Sequence, residues 1–322
     1  MKRMNAITDV RGIEVGHAQD EEALTGCTVI LCRRGAVAGV DVRGGAPGTR
    51  ETDLLDPVNL VQKVHAIVLA GGSAYGLDAA SGVMRYLEEQ NIGYETGVVR
   101  VPIVPSAILF DLALGDSTVR PTPEFGYRAA ASANAGAVPE GNVGAGTGAT
   151  AGKAFGIANA TKTGIGSASL DAGGGIIVGA LAAVNPFGDV IDPQTGKIIA
   201  GTRMPGTNDF ADTLEILKTF ASQKAQNFSN SNNTVIAVVA TNAKFDKSGM
   251  TKIAQMSHDG LARAIRPAHT LFDGDTIFAL STGEINADVS IVGAFAAEAV
   301  TQAILRAVKM SASAGGLPGF VP

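Results

Sequence analysis

The sequence predicts an α/β protein, and three features carry that reading. Continuous apolar, β-rich runs stand at residues 64–70, 175–184 and 234–241, the pattern of strands buried on both faces. Helical spacing appears in Met250, Ile253, Ser257, Leu261, Ala264 and Ile265, and again over about 290–310. Hydrophobic residues make up 46% of the 322 and charged residues 17%. Length alone suggests two domains, but this composition also suits one large unit spanning residues 1–322, with material left for buried subunit contacts.

In chain order, residues 27–32 and 36–42 read as short strands, and Arg33-Arg34-Gly35 between them reads as a hairpin turn. The stretch 42–53, Val-Arg-Gly-Gly-Ala-Pro-Gly-Thr-Arg-Glu-Thr-Asp, is dense in turn residues and charges. A loop so constrained is often functional, yet it names no chemistry by itself. After the strand at 64–70, Gly71-Gly72-Ser73-Ala74-Tyr75-Gly76 opens a helix to about residue 89. The order resembles a dinucleotide site, but the second glycine of that motif would fall on Ser73.

Residues 144–154 look like a phosphate loop and fail as one, because Thr147 stands where a glycine is needed and Ala154 where Ser or Thr must follow the lysine. What remains is Lys153 among small and apolar neighbours. It either snorkels to the surface or is desolvated, which would lower its pKa and suit acid or base work. Asn185-Pro186 closes the strand at 175–184, leaving the Asn185 amide to brace a turn or to serve as an oxyanion donor. Composition then becomes polar through 199–233, with one helix over about 209–223. The run Ser229-Asn230-Ser231-Asn232-Asn233 meets the apolar strand at Thr234. A hydroxyl residue thus stands where an exposed, cleavable loop becomes core. Were the Asn233–Thr234 bond broken, one residue would carry both a nucleophile and an amine of pKa about 7.7–8.0, suited to a general base. Arg266-Pro267 ends the following helix. Asp273-Gly274-Asp275 then heads a strand, where alternate residues face one side and two carboxylates can share a proton or orient a nucleophile.

Other classes recede. The formal charge is −5, from 25 Lys+Arg and 30 Asp+Glu, with no basic block, so no nucleic-acid partner is expected. Met1-Lys2-Arg3 leads into polar residues without an apolar core, and residues 289–308 are interrupted by Glu298, Gln302 and Arg306. Neither a signal peptide nor a membrane span is expected, and the predicted location is cytoplasmic. Cys27 and Cys32, at odd spacing in a strand, should point to opposite faces. His17, His65, His258 and His269 show no metal spacing and read as structural or surface residues. No metal and no cofactor are expected.

Taken together, residues 42–53, Gly71-Gly72-Ser73-Ala74-Tyr75-Gly76-Leu77, the Gly-rich run ending at Lys153, Asn185-Pro186, Asn233-Thr234 and Phe272-Asp273-Gly274-Asp275-Thr276 resemble the self-processing amidases of the D-aminopeptidase and β-peptidyl aminopeptidase family. The likeness is closest to the branch containing the nylon-oligomer hydrolases, and it covers nearly the whole chain in order. It implies an αββα sandwich like that of N-terminal-nucleophile hydrolases, with different connectivity. It further implies self-cleavage into residues 1–233 and 234–322, and a tetramer of such pairs. By residue, it makes Thr234 the nucleophile, with Lys153, Asn185, Asp273 and Asp275 completing the site and Tyr75 lining it. Many aminopeptidase members cleave before a serine and carry Ser and Glu where this chain has Asp273 and Asp275, which favours the nylon-hydrolase branch. The expected substrate is a small peptide or oligoamide, with linear aliphatic amides such as 6-aminohexanoate oligomers foremost and peptides with a free amino terminus as the alternative. A non-catalytic, Gly-rich small-molecule binder is the competing class.

Overall fold

The computed structural model describes residues 3–222 and 233–321; the polar run before Asn233 and the expected helix end at Gln223 lie outside them. The main elements, in chain order, are β1 (Glu14–Asp20), β2 (Thr25–Val42), β3 (Lys63–Ala70), α1 (Ala79–Glu89), α2 (Pro123–Ser132), β4 (Ile165–Gly173), β5 (Ile176–Asn185), α3 (Thr213–Ser222), β6 (Thr234–Lys244), α4 (Lys247–Ala264), β7 (Thr276–Asn286) and α5 (Val289–Lys309).

A nine-stranded mixed sheet holds the described residues together. Its path runs β4-β5-β6-β7-β2-β3 and on to two short strands, Ser106–Ile108 and Thr49–Arg50, with β1 also paired to β2. β6 and β7 are parallel neighbours, Ile236 opposite Thr276. The strand β2 bends the sheet into two layers: its first half pairs with β1 and β3, its second half with β7. The expected hairpin at Arg33–Gly35 is therefore not a reversal. The chain continues as one strand, and its register against β3 shifts between Leu31 and Ala36. An irregularity of this kind bends a strand without ending it, and turn-forming residues suit either use.

Side-chain alternation then builds three cores. Along β6, Val235, Ala237 and Val239 face α4 and α5, while Ile236, Val238 and Ala240 face the opposite layer. Along β2, Ile30 and Cys32 join that middle core, whereas Cys27, Val29 and Leu31 pack under α1 and α2. The order helices, sheet, sheet, helices is the αββα sandwich expected, and the two cysteines do lie on opposite faces. Both are free and buried, which pushes each thiol up to about 12. The helix α5 is apolar and long enough to cross a membrane by length and composition, but it lies against α4, β4 and β5. Asp246 and Asp288 cap α4 and α5, accepting from Gly249 N–H and from Ser290 and Ile291 N–H.

Phe278, on β7, is fully buried in the middle core between the sheet layers. Phe278→Ala should lower stability by about 3–5 kcal/mol in urea unfolding, through lost burial and an unfilled cavity.

Candidate active site

Thr234 is the first residue of β6 and lies opposite Asn185, the last residue of β5. Asp273 and Asp275 immediately precede β7, the parallel neighbour on the other side. Three adjacent strands therefore end together, and the sheet brings residues distant in sequence to one edge. Thr234 is only 3% exposed and Lys153 5%; Asn185, Asn233, Asp273 and Asp275 are buried as well.

The Thr234 hydroxyl donates to the carbonyl oxygen of Asn233, across the bond it shares with that residue. The same carbonyl accepts the Gly274 N–H at 2.8 Å. Asn233 N–H in turn donates to the Phe272 carbonyl at 2.8 Å, so Asn233 forms a parallel bridge with Asp273. Gly274 is required here, since a Cβ would lie 2.6 Å from the Ala46 carbonyl oxygen and 2.9 Å from Thr234 Oγ1.

Each aspartate is fixed by several donors. Asp275 Oδ1 accepts Val235 N–H at 2.8 Å, while its Oδ2 accepts His269 N–H at 3.1 Å and His269 Nδ1–H at 2.8 Å. Asp273 Oδ1 accepts Phe187 N–H at 3.1 Å, and its Oδ2 accepts both the amide and the hydroxyl of Thr270. Burial, and then the neighbouring Asp275 carboxylate, push the Asp273 carboxyl above its ordinary value.

Lys153 Nζ sits among four oxygens: Thr150 O at 2.8 Å, Asn185 Oδ1 at 2.9 Å, Asn185 O at 3.0 Å and Pro186 O at 3.1 Å. Burial lowers its pKa to about 7, against the pull of Asp273 and with a further push from Lys162. Of the two uses open to this lysine, snorkelling is thus excluded. The Asn185 side chain braces no turn of its own. Its Oδ1 accepts from Thr150 N–H and Lys153, and its Nδ2 donates to the Phe110 carbonyl at 2.9 Å.

Tyr75 is not drawn into this cluster. It lies 60% exposed in a short 3-10 helix, Ser73–Asp78, with the Arg120 guanidinium 3.8 Å from its ring centroid. The turn-rich stretch after β2 now has a use. Arg43 and Gly44 N–H groups donate to the Asp275 carbonyl, Ala46 N–H to the Asp273 carbonyl and Gly45 N–H to the Thr270 carbonyl. A Cβ at Gly44 would lie 2.2 Å from Asp273 O. The Gly-rich run is held by a second buried lysine, Lys162, whose Nζ donates to the carbonyls of Gly146, Ala149 and Thr163.

Sequence reasoning passed over His269, Thr270, Gly274 and Lys162. Among the described residues no group of three His, Cys, Asp or Glu side chains is placed to hold a metal. A buried hydroxyl on a peptide carbonyl, a backbone donor on that same carbonyl, and a lysine of lowered pKa nearby are parts of an acyl-transfer site.

The family model of peptidase family S58 matches residues 5–320. The chain belongs to that family. An uncharacterized aminopeptidase of Mycobacterium leprae is 44% identical, over 98% of this chain and 93% of that protein. The 6-aminohexanoate-oligomer endohydrolase of Paenarthrobacter ureafaciens is 32% identical, over 94% of this chain and 85% of its own length. Among solved structures, the L-aminopeptidase D-Ala-esterase/amidase from Ochrobactrum anthropi, described as a variant of the Ntn hydrolase fold, superimposes with a TM-score of 0.72 at 22% identity, covering 98% of this chain and 88% of its own. A β-aminopeptidase from Burkholderia gives 0.70 at 24% identity, covering 98% and 91%. The motif resemblance and the α/β sandwich both hold, and hydrolysis of amide bonds is the chemistry of this S58 chain.

Proposed function

We propose that this S58 member is a self-cleaving amide hydrolase with Thr234 as its nucleophile. The observation that carries the reading is the pair of contacts on the Asn233 carbonyl, the Thr234 hydroxyl and the Gly274 N–H. In the precursor the hydroxyl oxygen attacks the Asn233 carbonyl carbon, and the oxyanion that forms is held by Gly274 N–H. The C–N bond breaks, the Thr234 nitrogen leaves as an amine, and an ester joins Asn233 to Thr234 Oγ1. Water then releases the Asn233 carboxylate and restores the hydroxyl. In turnover the same hydroxyl takes an acyl group from a small peptide or oligoamide, and water clears it.

Asp275 fixes the start of β6 through Val235 N–H, while Asp273 holds the turn into β5's exit through Phe187 N–H. Lys153, or the new Thr234 amine, takes the proton. Asn185 orients Lys153 through its Oδ1 while its Nδ2 is held by the Phe110 carbonyl; a turn of the amide would exchange both bonds for a second donor to the oxyanion. The two chains stay together, because β5, β6 and β7 are neighbours in one sheet, and we expect them to assemble as a tetramer of pairs.

Relatives named for aminopeptidase and for oligomer hydrolysis both agree with amide cleavage. Denatured, matured protein should give two fragments, residues 1–233 and 234–322, the smaller about 9 kDa by its share of the length. Sequential degradation of that fragment should begin Thr-Val-Ile-Ala. A different first residue moves the nucleophile elsewhere.

A further inference from the structure

The acyl side of the Asn233–Thr234 bond is gripped by backbone. Asn233 N–H reaches the Phe272 carbonyl and Asn233 C=O receives the Gly274 N–H, both at 2.8 Å. The donor and the acceptor belong to one residue, so this edge matches a nitrogen on the carbon next to the carbonyl. The chemistry of the proposed reaction links that edge to turnover. The ester formed when Thr234 Oγ1 accepts the Asn233 acyl group is itself an acyl-enzyme, and a substrate's acyl group must end on the same oxygen. It therefore occupies the ground that Asn233 holds in the uncleaved chain, where Asn233 is wholly buried.

We propose that the backbone edge from Phe272 to Gly274 is the acyl subsite of the mature enzyme, and that it selects α-aminoacyl groups over ω-aminoacyl groups. The proposal rests on self-cleavage at Thr234. An α-aminoacyl group offers its carbonyl to Gly274 N–H and its own N–H to the Phe272 carbonyl, as Asn233 does. A 6-aminohexanoyl group keeps the first bond and forfeits the second, since its nitrogen lies five carbons away. The edge cannot relax freely to meet it. Gly274 is wedged between the Ala46 carbonyl and Thr234 Oγ1, and Ala46 N–H and Gly44 N–H are bonded to the same acidic turn. Sites built to hydrogen-bond a substrate N–H discriminate strongly against analogues that lack it. α-Peptides should thus outrank the linear aliphatic oligomers expected from the sequence.

The test uses purified full-length protein, with intact mass read first. An active protein with no new terminus at Thr234 overturns both self-cleavage and this proposal. With the cleaved enzyme, kcat/KM is compared for the p-nitroanilides of alanine, N-acetylalanine, N-acetyl-N-methylalanine, 6-aminohexanoic acid and propionic acid. The better of the two α-N–H compounds should exceed the N-methylated, 6-aminohexanoyl and propionyl compounds by about tenfold or more. Equal turnover across the set overturns the acyl-edge proposal alone. So does a preference for the 6-aminohexanoyl compound, or failure to cleave either α-N–H compound.

Discussion

Thr234→Ala should leave one intact, folded chain that hydrolyses nothing. The hydroxyl is the group in contact with the Asn233 carbonyl, so both self-cleavage and turnover lose their nucleophile together. Loss of a hydroxyl nucleophile in a hydrolase lowers kcat by about 10⁶, beyond the range of an ordinary assay. Folding should be spared. Thr234 opens β6, and the apolar alternation that fixes the strand begins at Val235. Val235 N–H remains bonded to Asp275 Oδ1, which keeps the strand start in place. Thr234→Ser keeps the hydroxyl and loses a methyl, so it should cleave and turn over at a reduced rate. The measurements are intact mass after prolonged incubation and amidase activity on the same sample. An alanine variant that cleaves itself, or that turns over at the normal rate, removes Thr234 from the mechanism.

The sandwich was legible wherever burial repeats with a local period. The run at 235–240 is apolar at every position because both of its faces are covered, the odd residues from Val235 by α4 and α5 and the even ones from Ile236 by the other sheet layer. The bend in β2 was not legible. Arg33-Arg34-Gly35 serves a reversal or a bulge equally well, and the choice is made by pairing with β3 and β7, far away in sequence. At the site, Lys153, Asn185, Asp273 and Asp275 stood out only as a set, since each has an ordinary structural use when taken alone. Gly274 and the amides of residues 43–46 act through backbone N–H groups, which leave no residue-type signature beyond glycine itself. His269 was passed over because a lone histidine has no spacing partner. Its role rests on the two bonds that its amide and its ring make to Asp275, six residues along the chain.

Lys153→Met should slow self-cleavage by about 10²–10⁴, the range attributed to one positioned acid or base. Self-cleavage is the cleaner reaction for this test, because the Thr234 nitrogen is then a peptide nitrogen and cannot accept the proton. The free amine, with a reference pKa of about 7.7–8.0, competes as base only after the bond is broken. A lysine lowered to about 7 by burial is charged below that pH and neutral above it. If its neutral amine accepts the Thr234 proton, cleavage should be fast above pH 7 and fall tenfold per unit below it. Lys153→Arg should not restore the rate, since a guanidinium stays charged throughout and is a poor fit to the four oxygens around Nζ. The course is followed by gel, with chain made in a cell-free system and shifted between pH 5 and 9 before it matures. An acid limb near pH 7 in the native chain and its absence in Lys153→Met assign the base to Lys153. Cleavage of Lys153→Met at the native rate would exclude it, leaving Lys153 as a brace for Asn185 and the carbonyls around it.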